Sequence, residues 1–178
     1  MIILGVDPGS NFTGYAVIKN DKNIITRITS GVIKLPTVKS LSQKLEIIYD
    51  GLIEIIKKYP PDEFVIETAF YGKNVQSTLK LGYVRGVSML AAAHNKVPVN
   101  EYSPREIKKA VVGNGAAAKE QVNYMVKNIL KLDEKMKHDE SDALEIALCH
   151  IFKMKSPTKK SGNWKAFVEA FPERVINP

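Results

Sequence analysis

The chain opens with a nearly all-apolar run, Ile2-Ile3-Leu4-Gly5-Val6, and turns polar at Asp7-Pro8-Gly9-Ser10. A run with no polar side suits a strand covered on both faces. Asp, Pro and Gly are turn formers, so this strand is predicted to end at Asp7. Gly14 to Ile18 and Ile24 to Leu35 read as two further strands, joined through the polar turn Asp21-Lys22-Asn23. The N-terminus is therefore predicted to be a three-stranded meander.

The spacing changes at Ser40. Leu41, Leu45, Ile48, Leu52, Ile55 and Ile56 recur at three- and four-residue steps, which places them on one face of a helix. Ser40 and Gln43 have the form of a capping box, and Pro60-Pro61 stops the helix. Phe64-Val65-Ile66 is another buried strand, with Glu67 at its C-terminal end. Residues from about Val75 to Asn95 read as helix, and Val97 to Tyr102 as a fifth strand. Ser103-Pro104-Arg105-Glu106 combines an N-cap, a first-turn proline and a capping carboxylate, a strong helix start. Gly113-Asn114-Gly115 breaks that helix, Ala116 to Lys131 resumes one, and a last core helix runs from about Asp139 to Phe152.

Strands come first and then alternate with helices, which indicates an α/β domain over residues 1–155. There is no internal repeat and no low-complexity tract. Residues 156–178 differ in character. Pro157 to Gly162 reads as a linker, after which Trp164, Phe167, Val168 and Phe171 share a helical face. A short helix docked on the domain's own core is the expectation for this tail; an arm that contacts a partner or DNA is the alternative.

Composition narrows the classes. The 178 residues are 44% hydrophobic and 25% charged, an ordinary globular mixture that argues against extensive disorder. Twenty-six basic against nineteen acidic side chains leave a formal charge of +7 and a pI near 9.4. That balance suits a polyanion such as nucleic acid, or an anionic membrane, although many basic proteins bind neither. The single cysteine, Cys149, lies in the apolar run Ile146-Ala147-Leu148-Cys149 and is expected to be a buried, inert thiol. No apolar run approaches the roughly 18 residues of a membrane helix, and the first residues read as a strand rather than a signal peptide. A reducing cytoplasmic setting is expected.

The candidate chemistry lies in the carboxylates. Asp7 and Glu67 end buried strands, and Asp139 and Asp142 are three residues apart on one helix, hence on one face. Acids beside apolar strands are costly unless a cation compensates them. Arginine or lysine could do so, but a divalent metal does it for several carboxylates at once, and Mg²⁺ favours such hard oxygen ligands. Two ions about 3.5–4 Å apart can activate a water and stabilise the leaving oxygen of a phosphodiester. Each acid alone has a plainer reading as a turn, cap or helix-dipole residue. Only the ensemble points to chemistry, and spacing does not prove that the four meet.

Four ordered motifs then carry a specific resemblance. Ile3-Leu4-Gly5-Val6-Asp7-Pro8-Gly9-Ser10 with Thr13-Gly14-Tyr15-Ala16 is similar to the start of the RuvC resolvases. Val65-Ile66-Glu67, Phe70, Lys73-Asn74 and Leu79-Lys80-Leu81-Gly82 resemble their second signature. Pro104 to Lys109, Val111 to Gly115 and Ala118-Lys119 resemble the third, and His138 to Leu144 the last. The four motifs span roughly residues 2–152.

The resemblance implies a ribonuclease H-like fold, a mixed five-stranded sheet flanked by helices. It implies a Holliday-junction endodeoxyribonuclease that acts as a homodimer and nicks two strands of a four-way junction symmetrically, leaving 5′-phosphate and 3′-hydroxyl. Asp7, Glu67, Asp139 and Asp142 would be catalytic metal ligands for two Mg²⁺ ions per subunit, with Mn²⁺ as a substitute. Some family members carry histidine at the first helix acid; the three-residue step to Asp142 favours Asp139 over His138 here. Lys119 would be catalytic near the scissile phosphate, and Lys108 would contact DNA beside it. Phe70 would stack on an unpaired base at the junction centre, worth roughly 1–3 kcal/mol. Lys73 and Asn74 would reach phosphate or base edges. Tyr71 suits stacking or core packing equally, and Arg85 is a surface or dimer-interface residue. The branch-migration proteins RuvA and RuvB are implied partners.

Three other functions compete. Asp7-x-Gly9 with Ser10 and Gly14 is also similar to the phosphate loop of actin-like and sugar-kinase phosphotransferases, which need two such lobes and lack the Asp-x-x-Asp helix. A junction-binding module without turnover and an RNA-processing relative share the same fold, and fold alone does not choose between them.

Overall fold

The structure, a computed structural model, describes residues 1–22, 24–68, 74–133 and 136–155. The five strands are β1 (Ile2–Asp7), β2 (Phe12–Asp21), β3 (Ile24–Lys34), β4 (Glu63–Glu67) and β5 (Val99–Tyr102). The helices are α1 (Leu41–Lys58), α2 (Val75–His94), α3 (Pro104–Val112), α4 (Lys119–Leu130) and α5 (His138–Lys155). The strands form one sheet in the order β3-β2-β1-β4-β5. β1, β2 and β3 pair antiparallel, whereas β4 runs parallel to both β1 and β5. This is the mixed, helix-flanked sheet of a ribonuclease H-like domain.

Each face of the sheet has its own core. On one face Ile3, Ala16, Ile18 and Val65 pack with α3, α4 and α5. On the other, Leu4, Val6, Val17, Phe64 and Ile66 pack with α1 and α2. Because strand residues alternate between faces, an apolar run such as β1 supplies both cores at once. α5 is buried from Ala143 through Phe152, as expected of a helix enclosed by the sheet, α3 and α4. Cys149 is buried within it.

The helix starts follow their capping chemistry. The Gln43 N–H donates to Ser40 Oγ, while the Ser40 N–H donates to Gln43 Oε1 at 3.0 Å. Ser103 and Glu106 make the same reciprocal pair at α3. β2 runs longer than expected at both ends and α5 continues to Lys155, and two starts shift for reasons that the hydrogen bonds give. β5 starts at Val99 rather than Val97, because the Val97 N–H is still bonded to the Ala92 carbonyl at the exit of α2. α4 starts at Lys119 rather than Ala116, because Ala116 and Ala117 donate to the side chain and carbonyl of Asn114 in a turn. The linker and aromatic segment expected at residues 156–178 lie outside the described residues.

Candidate active site

The parallel pairing of β1 and β4 brings two acids to one edge of the sheet. Val6 stands opposite Ile66, so Asp7 and Glu67 are the next residues on adjacent strands. Ile3 and Val65 face α5, and the two-residue period of a strand turns Asp7 and Glu67 to that side as well. The Glu67 backbone is anchored from the opposite layer, because Arg85 on α2 donates from Nε to its carbonyl at 3.0 Å. The Arg85 guanidinium is in turn paired with Glu101 on β5.

α5 comes to these acids because two strand residues have no side chain. A Cβ on Gly5 would meet the Ala143 carbonyl and stand 2.8 Å from the Ala147 Cβ. A Cβ on Gly14 would collide with the Asp139 carbonyl oxygen. The helix therefore lies directly on β1 and β2, with Asp139 over Gly14, the residue paired with Asp7. Asp142 follows one turn later on the same face. Glu140 is turned elsewhere: it accepts from Ser30 Oγ at 2.6 Å and lies 4.0 Å from Arg27 on β3. His138 is the first residue of α5.

Electrostatics link the four acids. Burial, with the carboxylates of Asp142, Glu67 and Asp139 adding to it, pushes the Asp7 pKa up from 3.8 to about 7, against the opposing pull of Lys119. Burial and Asp142 raise Glu67 in the same way, opposed by Lys119 and Lys108. Among the described residues no three acidic, histidine or cysteine side chains yet stand close enough to enclose an ion. The acids form an electrostatic cluster rather than a closed coordination shell, and uncompensated carboxylates repel one another.

Two of the lysines singled out in the sequence, Lys119 and Lys108, border this cluster. Lys119, the first residue of α4, donates from Nζ to Asp142 Oδ2 at 2.7 Å. Burial works against its charge, but the bond to Asp142 and the nearby carboxylates outweigh it and raise its pKa. Lys108 on α3 donates to the Ala117 carbonyl at 2.9 Å. The two lysines, Glu67 and Asp142 line a cleft of about 170 Å³.

That cleft contains a fifth acid, Glu145, which the sequence reading passed over. Glu145 is only 7% exposed, and its Oε1 has no hydrogen-bond partner among the described residues. Burial, then Asp142 and Glu67, push its pKa from 4.5 to about 8, against Lys119 and Lys108. The signal was available: Asp139, Asp142 and Glu145 continue one three-residue spacing. It was hidden because Leu144 and Ile146 make the segment read as plain core. Of the loop candidates, Asn74 caps α2, its Oδ1 accepting from the Ser77 N–H at 3.2 Å. Phe70, Tyr71 and Lys73 lie outside the described residues.

The chain is similar to known proteins. The family model for crossover junction endodeoxyribonuclease RuvC matches residues 3–150. A protein of that name from Legionella pneumophila (strain Lens) is 50% identical over 149 residues, 84% of this chain and 86% of its own length. One from Salinibacter ruber is 42% identical over 177 residues, 98% of this chain and 99% of its own. The solved structure of Thermus thermophilus RuvC in complex with a Holliday junction substrate superposes with a TM-score of 0.82 at 30% identity. The match covers 86% of this chain and 94% of that one.

Proposed function

The chain belongs to the RuvC family of crossover junction endodeoxyribonucleases, and on that premise we propose that it resolves four-way DNA junctions by hydrolytic nicking at the Asp7, Glu67, Asp139 and Asp142 cluster. Family membership sets aside the phosphotransferase reading. The observation that carries the proposal is the electrostatic coupling of Asp7 to Asp142, Glu67 and Asp139 at the end of the parallel strands, where Glu67, Asp142 and Lys119 line one cleft.

The residues fit a divalent metal. Four carboxylates supply hard oxygen donors only, and Asp7, buried and beside Asp142, Glu67 and Asp139, stands where a cation would relieve both the burial and the repulsion. Asp7, Glu67, Asp139 and Asp142 would hold two Mg²⁺ ions, with Mn²⁺ as a substitute. Bound there, the ions would supply Lewis-acid stabilisation and activation of water. The chain's own part is to orient and neutralise. Asp7 and Glu67, fixed by sheet hydrogen bonds, and Asp139 and Asp142, fixed by a buried helix, form a rigid acidic floor. Lys119 and Lys108 set positive charge where a phosphate must enter, and so favour the extra charge of the transition state. In-line attack by water breaks the bond between phosphorus and O3′, leaving 5′-phosphate and 3′-hydroxyl.

A symmetric junction calls for two such sites. α2 presents Val75, Leu79 and Tyr83 at four-residue steps, all at least half exposed, with Leu90 further along. Gly82 and Gly86 leave open space along the same helix. This apolar stripe suits self-association across a twofold axis and supports the homodimer. Phe70 and Lys73 would then meet the junction centre, and Asn74, which opens α2, would stand beside them. RuvA and RuvB are the partners the family resemblance suggests, and the cytoplasm the compartment. No described helix is long and apolar enough to cross a membrane. Residues 1–155 would be the nuclease domain.

The test compares nicking of immobile and mobile synthetic junctions and of linear duplex, each with Mg²⁺ and with Mn²⁺. The wild type is expected to cut junctions symmetrically and leave duplex intact, while Asp7→Asn still binds junctions without cutting them. Junction cleavage by that variant at the normal rate would overturn the mechanism.

A further inference from the structure

Glu145 is the buried acid that the four-carboxylate site leaves unused. It faces Asp142 on its own helix, Glu67 on β4, Lys108 on α3 and Lys119 on α4. Its surroundings in the cleft are otherwise Pro104, Ile107 and Ile146. A carboxylate placed there with an oxygen that has no partner among the described residues lacks the compensation that buried polar groups usually have. Lys119 has the opposite problem. Its ammonium lies on Asp142 at 2.7 Å, and Asp142 is one of the four acids assigned to the metal. One carboxylate cannot give its charge fully to both a lysine and a divalent cation. When the cation arrives, the lysine must find another acceptor or go into solvent.

We propose that Glu145 is that acceptor: a positioning residue that takes the Lys119 ammonium when Asp142 turns to the metal. The inference rests on the four-acid reading of the site and adds a fifth carboxylate with a different duty. Two features of the structure favour it. Glu145 lies one helical turn beyond Asp142 on the same face, a step that the flexible four-carbon lysine stem can span. Glu67, the other carboxylate in the cleft, is itself a metal candidate, so Glu145 is the acid there with no competing claim. Held by Glu145, the ammonium stays in the cleft instead of drifting outward, at the place where a phosphate oxygen would need it. The metal then displaces the lysine by a short step, and the lysine does not have to be lost to solvent.

The experiment titrates the DNA-free protein with Mn²⁺ and reads bound ion by electron paramagnetic resonance, so no cleavage is required. Wild type, Glu145→Gln, Lys119→Ala and the double variant are compared. Without the second acceptor the lysine competes harder for Asp142, and Glu145→Gln is expected to weaken Mn²⁺ binding roughly tenfold. In the Lys119→Ala background the same change is expected to cost less than about twofold, since the competitor is gone. Glu145→Asp, which keeps the charge, is expected to recover part of the loss. A crystal structure of the wild type soaked in Mn²⁺ supplies the check that needs no variant, with Lys119 Nζ on Glu145. Equal losses in both backgrounds would mean that Glu145 acts on the cation directly and would overturn the proposal. An unchanged affinity, or a lysine still on Asp142 in the metal-bound crystal, would overturn it too. Asp7→Asn separates the two levels: tight Mn²⁺ binding by that variant would sink the four-acid reading itself, whatever Glu145 does.

Discussion

Replacing Asp7 with asparagine is expected to make the metal-free protein more stable, and the size of the gain follows from its surroundings. In the unfolded chain this carboxyl titrates near 3.8; burial and three neighbouring carboxylates bring it to about 7 in the folded one. Between those values the folded state holds the proton that the unfolded state has released, so rising pH favours unfolding. The penalty is absent below 3.8, grows through the window and is complete above about 7. At roughly 1.4 kcal/mol per pH unit it reaches on the order of 4 kcal/mol at pH 8, and less than half of that at pH 5. Asparagine has a similar shape and cannot ionise. Allowing for partial relaxation around a group that is not fully buried, the expected gain at pH 8 is about 2–4 kcal/mol. For a chain of this size that is a rise in Tm of roughly 5–15 °C. Thermal unfolding in chelator at pH 5 and pH 8 measures it. Adding Mg²⁺ should reverse the ranking, because the wild type gains about 4.1 kcal/mol at a thousandfold excess over Kd and the variant gains little. An equal Tm for the two proteins at pH 8, or equal stabilisation of both by Mg²⁺, would refute the reasoning.

Lys119→Ala is expected to slow single-turnover junction cleavage about a hundredfold while changing junction affinity only slightly, as a group acting on transition-state charge should; loss of affinity alone would make it a simple phosphate clamp. Gly14→Ala is expected to lift α5 off β2, at a cost of roughly 1–3 kcal/mol in chemical denaturation and with most of the cleavage lost, although no acid is replaced. Arg85→Ala removes the donor to the Glu67 carbonyl and the partner of Glu101. It is expected to reduce the cleavage rate about tenfold at unchanged DNA affinity, and Arg85→Lys should not restore it, since lysine lacks the planar fork of donors.

The strands and helices were legible because their signals are local. An unbroken apolar run, a capping box or a paired proline decides its own segment with little help from elsewhere. The three-residue step from Asp139 to Asp142 was legible for the same reason. What the spacing could not give was the meeting of distant segments. Asp7 and Glu67 become neighbours only through the β1–β4 register, and α5 reaches them only because Gly5 and Gly14 leave room. Arg85 read as a surface or interface residue, and its anchoring of Glu67 from the other layer is a long-range bond that no period reveals. Glu145 was missed because its apolar neighbours Leu144 and Ile146 make that stretch of helix read as core with no chemistry in it. Its burial depends on α3 and α4 closing over it.

The close seating of α5 on two side-chain-free strand positions also determines when the protein becomes dangerous to its host. Of the four acids, Asp7 is made first and Asp142 last. On the proposed four-acid reading, a nascent or partly unravelled chain in which α5 has not docked presents at most half of the acidic set and would have no means of breaking a phosphodiester. Docking of α5 would thus serve as the safety catch of a DNA-cutting protein, released only when that helix is in place.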